Sequence, residues 1–174
     1  LGTNIEKEAK NVKFEAGKID KFWIKNCVSI GLAGSFAEPL EAQSIGFSII
    51  QSQNLIGYFN NWLQSPTYVS QKYNSLMDSV FSNIVDYVQL HYFTERNDTL
   101  FWKEKPFNIT DFNKNTFKRF SLGYFLDDEL SYNHLMFQKV NFYQLYYGLN
   151  LLNLPQINKN LNKYPLEYLQ EINK

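Results

Sequence analysis

The spacing of apolar and polar positions changes character part-way along the chain. Val12-Lys13-Phe14-Glu15 alternates, as does Phe22–Ile24, and Ala16-Gly17-Lys18 between them is a turn signal. Cys27-Val28-Ser29-Ile30-Gly31-Leu32-Ala33-Gly34 is a short apolar run that ends in glycines, the pattern of a buried strand entering a tight turn beside a ligand. Residues 11–34 therefore predict strands. Pro39 stops any regular element, and a helix begins near Glu41 or Ala42. Ile45, Ile49, Ile56, Phe59 and Leu63 recur at helical spacing and predict an apolar stripe for the core. Ser65-Pro66 is a second helix start, serine at the cap and proline at the first position. Val69, Tyr73, Leu76, Val80, Ile84, Tyr87 and His91 then keep helical period. Glu95–Lys105 reads as a loop with a short turn. Thr110–Phe120, Phe137–Leu152 and Pro165–Ile172 are further helices joined by Asn/Asp/Ser-rich connections.

This order, short strands and then mostly helix, predicts an α/β class dominated by α, with residues 1–64 and 65–174 as its two parts. Composition adds exclusions. With 174 residues and 44% hydrophobic content the chain can bury a sizeable core. Lys+Arg and Asp+Glu are 17 each, so no basic excess points to nucleic acid or an anionic membrane. A single cysteine, Cys27, cannot form an internal disulfide, which favours a reducing, cytoplasmic setting. No apolar run reaches the roughly 18 residues of a membrane span. The chain opens Leu1-Gly2-Thr3 without a signal-peptide pattern, as expected of an internal segment of a longer protein. No cluster of residues has metal-ligand spacing. Aromatic residues make up 17%, which fits either a large core or walls for a flat aromatic ligand.

The chemistry concentrates in residues 22–45, FWIKNCVSIGLAGSFAEPLEAQSI. A strand, a glycine-bearing turn and a proline-led helix start leave backbone N–H groups at a positive helix end, where an anion binds well. Gly31 and Gly34 permit close approach of a planar ring system. Glu41 would be held as an anion by the same helix end. An ordinary strand–turn–helix, with Glu41 as a first-turn acid, explains these residues equally well.

The segment resembles, nearly position for position, the motif that closes the flavin domain of tryptophan halogenases. Asp86-Tyr87-Val88-Gln89-Leu90-His91-Tyr92, followed by Thr94-Glu95-Arg96-Asn97-Asp98-Thr99-Leu100-Phe101-Trp102, is similar to a second block of that family, and Phe14-Glu15-Ala16-Gly17-Lys18 to a third. The likeness covers residues 11–102 and thins after 107. It implies the last strands and helix of an FAD-binding domain with its halide site over 1–64, then a helical substrate-side module over 65–174. It implies Glu41 at the reacting ring of the substrate, the backbone N–H groups of Gln43 and Ser44 on the halide, and Gly31, Leu32 and Ile45 against the flavin. Phe142, Tyr143, Tyr146 and Tyr147 fall where the family gathers aromatic residues about its substrate. The implied reactants are FAD reduced by a separate flavin reductase, O2, chloride or bromide, and tryptophan or another indole. Ala42 and Gln43 depart from the family's usual serine and threonine, which bears on halide preference. The family's glycine-rich FAD loop, lysine and W-x-W-x-I-P signature are not in this chain, so these residues alone are not expected to catalyse. The assembly is left open, a homodimer among the candidates.

Two rivals remain at this point: a flavin-dependent aromatic monooxygenase, and a non-catalytic helical binding module that kept the motif as scaffold. His91 reads as a packed, hydrogen-bonded histidine, His134 as superficial, Arg96 with Asp98 as a structural ion pair, and Trp23, Trp62 and Trp102 as core.

Overall fold

The structure, a computed structural model, describes residues 13, 15–104, 108–124 and 135–163. The expected helix at Pro165–Ile172, and His134, lie outside the described residues. Strand structure is sparser than the alternation suggests. β1 (Gly17–Lys18) pairs antiparallel with β4 (Ser35–Phe36), and β2 (Trp23–Ile24) with β3 (Cys27–Val28). The expected turn at 16–18 is thus itself a strand, because Gly17 and Lys18 face Phe36 and Ser35 across the ladder. The expected buried strand at 27–34 breaks after Val28 and becomes a 3-10 turn over Gly31–Ala33, leaving Cys27 exposed. Among the described residues six α-helices follow: α1 (Gln43–Trp62), α2 (Pro66–Leu90), α3 (Leu100–Glu104), α4 (Asp111–Ser121), α5 (Lys139–Gly148) and α6 (Leu154–Leu161). None of the described helices is long and apolar enough to cross a membrane.

α2 is the axis of the molecule. Pro66 opens it, since the first helical position needs no N–H donor. Tyr73, Met77, Val80, Ile84 and Leu90 along it are completely buried. Side-chain amides fasten other segments to it, Gln89 by bonding the Thr110 N–H and the Asn108 carbonyl. Asn74 accepts from the Trp23 N–H at 2.7 Å and donates to the Trp23 carbonyl at 3.0 Å. Asn83, buried, does the same for Phe137, at 2.9 and 3.0 Å. Asn113 of α4 donates to the Asp86 carbonyl at 3.0 Å. Asn74 and Asn83 stand in for strand partners, satisfying backbone groups of Trp23 and Phe137 that would otherwise be buried without one. One apolar cluster runs from Phe22 and Trp23 through α1 and α2 to Phe142 and Tyr146, across the expected division at 64/65.

α1 turns a different side inward from the one its spacing suggested. Gln43, Phe47 and Gln51 are buried, with Ile50, Leu55, Tyr58 and Trp62 packed against the core. Ile45, Ile49, Ile56, Phe59 and Leu63 are all exposed, Ile56 by 75%. The helix is apolar on both sides, and α2 occupies only one of them. α4 and α5 follow the sequence expectation more closely. Thr110 caps α4 by accepting from the Asn113 N–H, and Gln138 with Asn141 forms a reciprocal cap on α5.

Two consequences can be measured. Asn83→Ala removes both partners of Phe137 while leaving its backbone groups buried, so stability in a chemical-denaturation experiment should fall by at least about 2 kcal/mol. A loss below about 0.5 kcal/mol would mean the amide is not clamping Phe137. Asp86 is the second case. Burial pushes its carboxyl up to about 6 although the Thr110 side chain opposes the shift. The fold therefore favours the protonated acid. That stabilisation is complete below the unfolded value near 4 and is lost as pH rises through 6. Asp86→Asn should accordingly raise stability at pH 7 by up to about 3 kcal/mol and change it little at pH 4. Equal effects at both pH values would contradict the burial of this carboxyl.

Candidate functional site

β4 delivers the chain into Ala37-Glu38-Pro39, and a 3-10 turn over Leu40–Ala42 carries it into α1. Two consecutive residues of this turn adopt the left-handed conformation, Glu41 at φ 59° and Ala42 at φ 49°. Neither is glycine or asparagine, and a side chain there costs about 1–2 kcal/mol per residue. Sequence reading could not see this strain, because it attaches to the types that ordinarily avoid such backbone. Gln43 helps to hold the turn. Its side chain is buried and donates to the Glu38 carbonyl, and its own N–H donates to the Leu40 carbonyl. That second bond corrects the expectation of a free Gln43 donor, since the tight i→i+3 turn consumes it. The side chain likewise turns inward and not toward an opening. Ser44 begins the first turn of α1 beyond the strained pair.

The two carboxylates of the turn are met by two consecutive residues just past the end of α2. Glu41 Oε1 lies 3.3 Å from His91 Nε2, with the Glu41 side chain 45% and the His91 side chain 20% exposed. His91 Nδ1 lies 3.2 Å from the Tyr87 carbonyl oxygen. Glu38 accepts a hydrogen bond from the Tyr92 hydroxyl, whose ionisation is pushed up to about 12 by burial, then by this bond and the Glu38 charge. Beside the pair, Tyr87 meets His91 edge-on at 5.2 Å and stacks on Phe137 at 3.9 Å. Burial, and after it the charge of Glu41, raises the ionisation of the Tyr87 phenol. A cavity of about 360 Å³ is walled by Phe81, Val85, Val88, Tyr92 and Phe101, and Glu38 is among its lining residues. Glu41 is not among its lining residues.

The flavin-side residues named from the sequence stand as follows. Gly31 has φ +62°, a Cβ there would come within 2.9 Å of Ser48 Oγ, and its N–H donates to buried Gln51 at 2.7 Å. The glycine is therefore required by conformation and by the close approach of α1. Leu32 and Ile45 project from the surface, 70% and 67% exposed. The aromatic residues expected around a substrate are less uniform. Phe142 and Tyr146 are fully buried and pack among Tyr87, Phe112, Phe117 and Phe120, so they are core and line no opening. Desolvation raises the Tyr146 hydroxyl's ionisation. Tyr143 leans on Phe120, and Tyr147 is 70% exposed. Arg96 and Asp98 form a paired contact at 2.9 and 3.2 Å, with the guanidinium over Trp102, consistent with a structural role. Among the described residues no group of three or more His, Cys, Asp or Glu could hold a metal.

Comparison with known proteins gives this geometry a family. The match to the tryptophan halogenase family spans residues 1–163, and the chain belongs to that family. It is 32% identical over 102 residues to tryptophan 7-halogenase RebH of Lentzea aerocolonigenes, covering 58% of this chain and 19% of that protein. Tryptophan 6-halogenase ThaL of Streptomyces albogriseolus is 32% identical over 118 residues, 67% of this chain and 22% of its own length. Among solved structures, the flavin-dependent halogenase BrvH from Brevundimonas sp. BAL3 aligns with a TM-score of 0.71 and 26% identity over 84% of this chain and 30% of that one. The chain thus spans about a fifth of the length of these curated relatives.

The strained turn yields a direct test. Ala42→Gly relieves a left-handed side chain without removing a contact, so the variant should gain about 1 kcal/mol in denaturant unfolding. A destabilised variant would place Ala42 in ordinary backbone.

Proposed function

We propose that this chain carries the acting carboxylate and the halide turn of an FAD-dependent halogenase of aromatic substrates, with tryptophan or another indole as the default. The observation that carries the reading is Glu41. It is a half-exposed carboxylate on a turn of two left-handed residues, engaged by His91 and presented at the head of α1. Backbone strain of this kind persists where the surrounding structure fixes it, and it concentrates at functional sites.

The residues present fit the partners that the family implies. Left-handed Ala42 precedes right-handed Gln43, and their N–H groups are bonded to the Pro39 and Leu40 carbonyls, so the donor for an anion at this helix start would be that of Ser44. Ser44 would hold the halide there. Gly31, Leu32 and Ile45 would meet the flavin ring: the glycine keeps the backbone close to α1, and the two apolar side chains are free to pack on a flat face. Bound flavin, reduced by a separate reductase and using O2, would supply the two-electron oxidation that makes the halide electrophilic. This chain's own contribution is to place the halide, to exclude water with the apolar residues around the turn, and to take the ring proton on Glu41. In this reading residues 1–64 form the flavin and halide side, 65–174 the substrate side, and the protein works in the cytoplasm.

Glu41→Gln is nearly isosteric and leaves the turn intact. In the complete polypeptide that carries these residues, flavin oxidation should proceed as before. Halogenated product should fall by at least about 100-fold, the lower range for losing a general acid–base group. Chromatography with mass detection of products from tryptophan and chloride or bromide measures it. Undiminished product would reduce Glu41 to a first-turn acid, and hydroxylated product would favour a monooxygenase instead.

A further inference from the structure

We propose that His91 is a positioning residue for Glu41, fixing its carboxylate at the turn and taking over the proton that Glu41 accepts. The proposal rests on Glu41 being the acting carboxylate, as argued above. The imidazole faces an oxygen at both nitrogens, with Nδ1 3.2 Å from the Tyr87 carbonyl oxygen and Nε2 3.3 Å from Glu41 Oε1. A carbonyl oxygen can only accept, so Nδ1 carries a proton. A neutral ring then turns the bare Nε2 lone pair toward the carboxylate. That contact becomes a hydrogen bond only when one proton lies between Nε2 and Oε1. A neutral imidazole and an ionised carboxylate therefore leave a place for one further proton, at the atoms that face each other.

Electrophilic aromatic substitution delivers one. When a halogenating species of the hypohalous acid class attacks a ring carbon, the C–X bond forms and the C–H bond breaks. The electron pair of the C–H bond stays in the ring, and its proton passes to Glu41 and on to Nε2. The hydroxide that the halogen leaves behind takes up a proton and departs as water, and the pair returns its own proton to solvent. His91 has that outlet, its side chain being 20% exposed. The titratable groups around it are Glu41 on the turn, Tyr87 on α2, and Tyr92 just beyond α2, which is itself bonded to Glu38. The ring is braced edge-on against Tyr87, so its plane is set by the same stack that holds Phe137.

The pair can be tested apart from catalysis. In the complete polypeptide, the imidazole signals that disappear in His91→Gln identify those of His91. Long-range 15N–1H spectra at neutral to mildly alkaline pH should show a proton on Nδ1, and an Nε2 signal that moves when Glu41→Gln is added. A proton resident on Nε2 alone, or nitrogen signals indifferent to Glu41→Gln, would overturn the proposal. In the complete enzyme, His91→Phe should lower the maximal rate of tryptophan halogenation by at least about tenfold with KM for tryptophan little changed. His91→Gln, which offers Glu41 an N–H but no place for a proton, should recover only part of the loss. Full activity in His91→Phe would also overturn it. If the nitrogen signature is present while the unsubstituted enzyme makes no halogenated product, the pair stands and the halogenation reading fails.

Discussion

Everything in this structure hangs on α2 and the amides that fasten other segments to it. A helix has no backbone N–H donors to spare along its length and its carbonyls are already engaged once, so irregular segments packed against it find most of their partners in side chains. Asn74 and Asn83 provide them, each with one donor and one acceptor for a single residue, Trp23 and Phe137. Two-residue strands could not hold this region in register by their own ladders, because so short a pairing is marginal in water. The clamps do what a longer sheet would otherwise do. They also decide where the site can be: Trp23 anchors the segment that leads to the Glu41 turn, and Phe137 stacks on the Tyr87 that braces His91.

The turn itself is over-determined, which is how it keeps two left-handed side chains. The Gln43 side chain ties it to Glu38 from within, Tyr92 grips the Glu38 carboxylate, and His91 reaches Glu41. Since His91 and Tyr92 are neighbours, both carboxylates are referred to one point, the end of α2. A displacement there would move both together. The segment carrying His91 and Tyr92 thus meets a turn 50 and 54 positions earlier in the chain, though spacing alone offers no sign of it.

The legible part of the fold was whatever depends on neighbours in sequence. The Ser65-Pro66 start, the burial along α2 and the helix expected over Thr110–Phe120 follow from local rules, and the structure has them. Glu41 stood out because its motif is nearly contiguous. What sequence concealed depends on distant partners. Alternation at Phe22–Ile24 signals extended chain but not that its ladder is only two residues long. Nothing around His91 shows that its second nitrogen faces Glu41. The aromatic run at 142–147 was ambiguous because a helix sends neighbouring rings in different directions: Phe142 and Tyr146, one turn apart, go inward while Tyr147 points out.

α1 shows why the wrong stripe was chosen, and what that error means. Two apolar faces wind round the same helix, one through Phe47, Ile50 and Tyr58, the other through Ile45, Ile49, Ile56 and Phe59. Periodicity scores both alike, and only the position of α2 breaks the tie. A helix apolar on all sides belongs in an interior. Patches of several exposed apolar side chains on one face are uncommon on a free monomer surface. The chain corresponds to about a fifth of the length of its curated relatives, and Ile45, one of the two apolar residues assigned to the flavin, lies on that exposed face. The same side of α1 that confounds the sequence reading is therefore the side on which the proposed function depends, with Glu41 at its head.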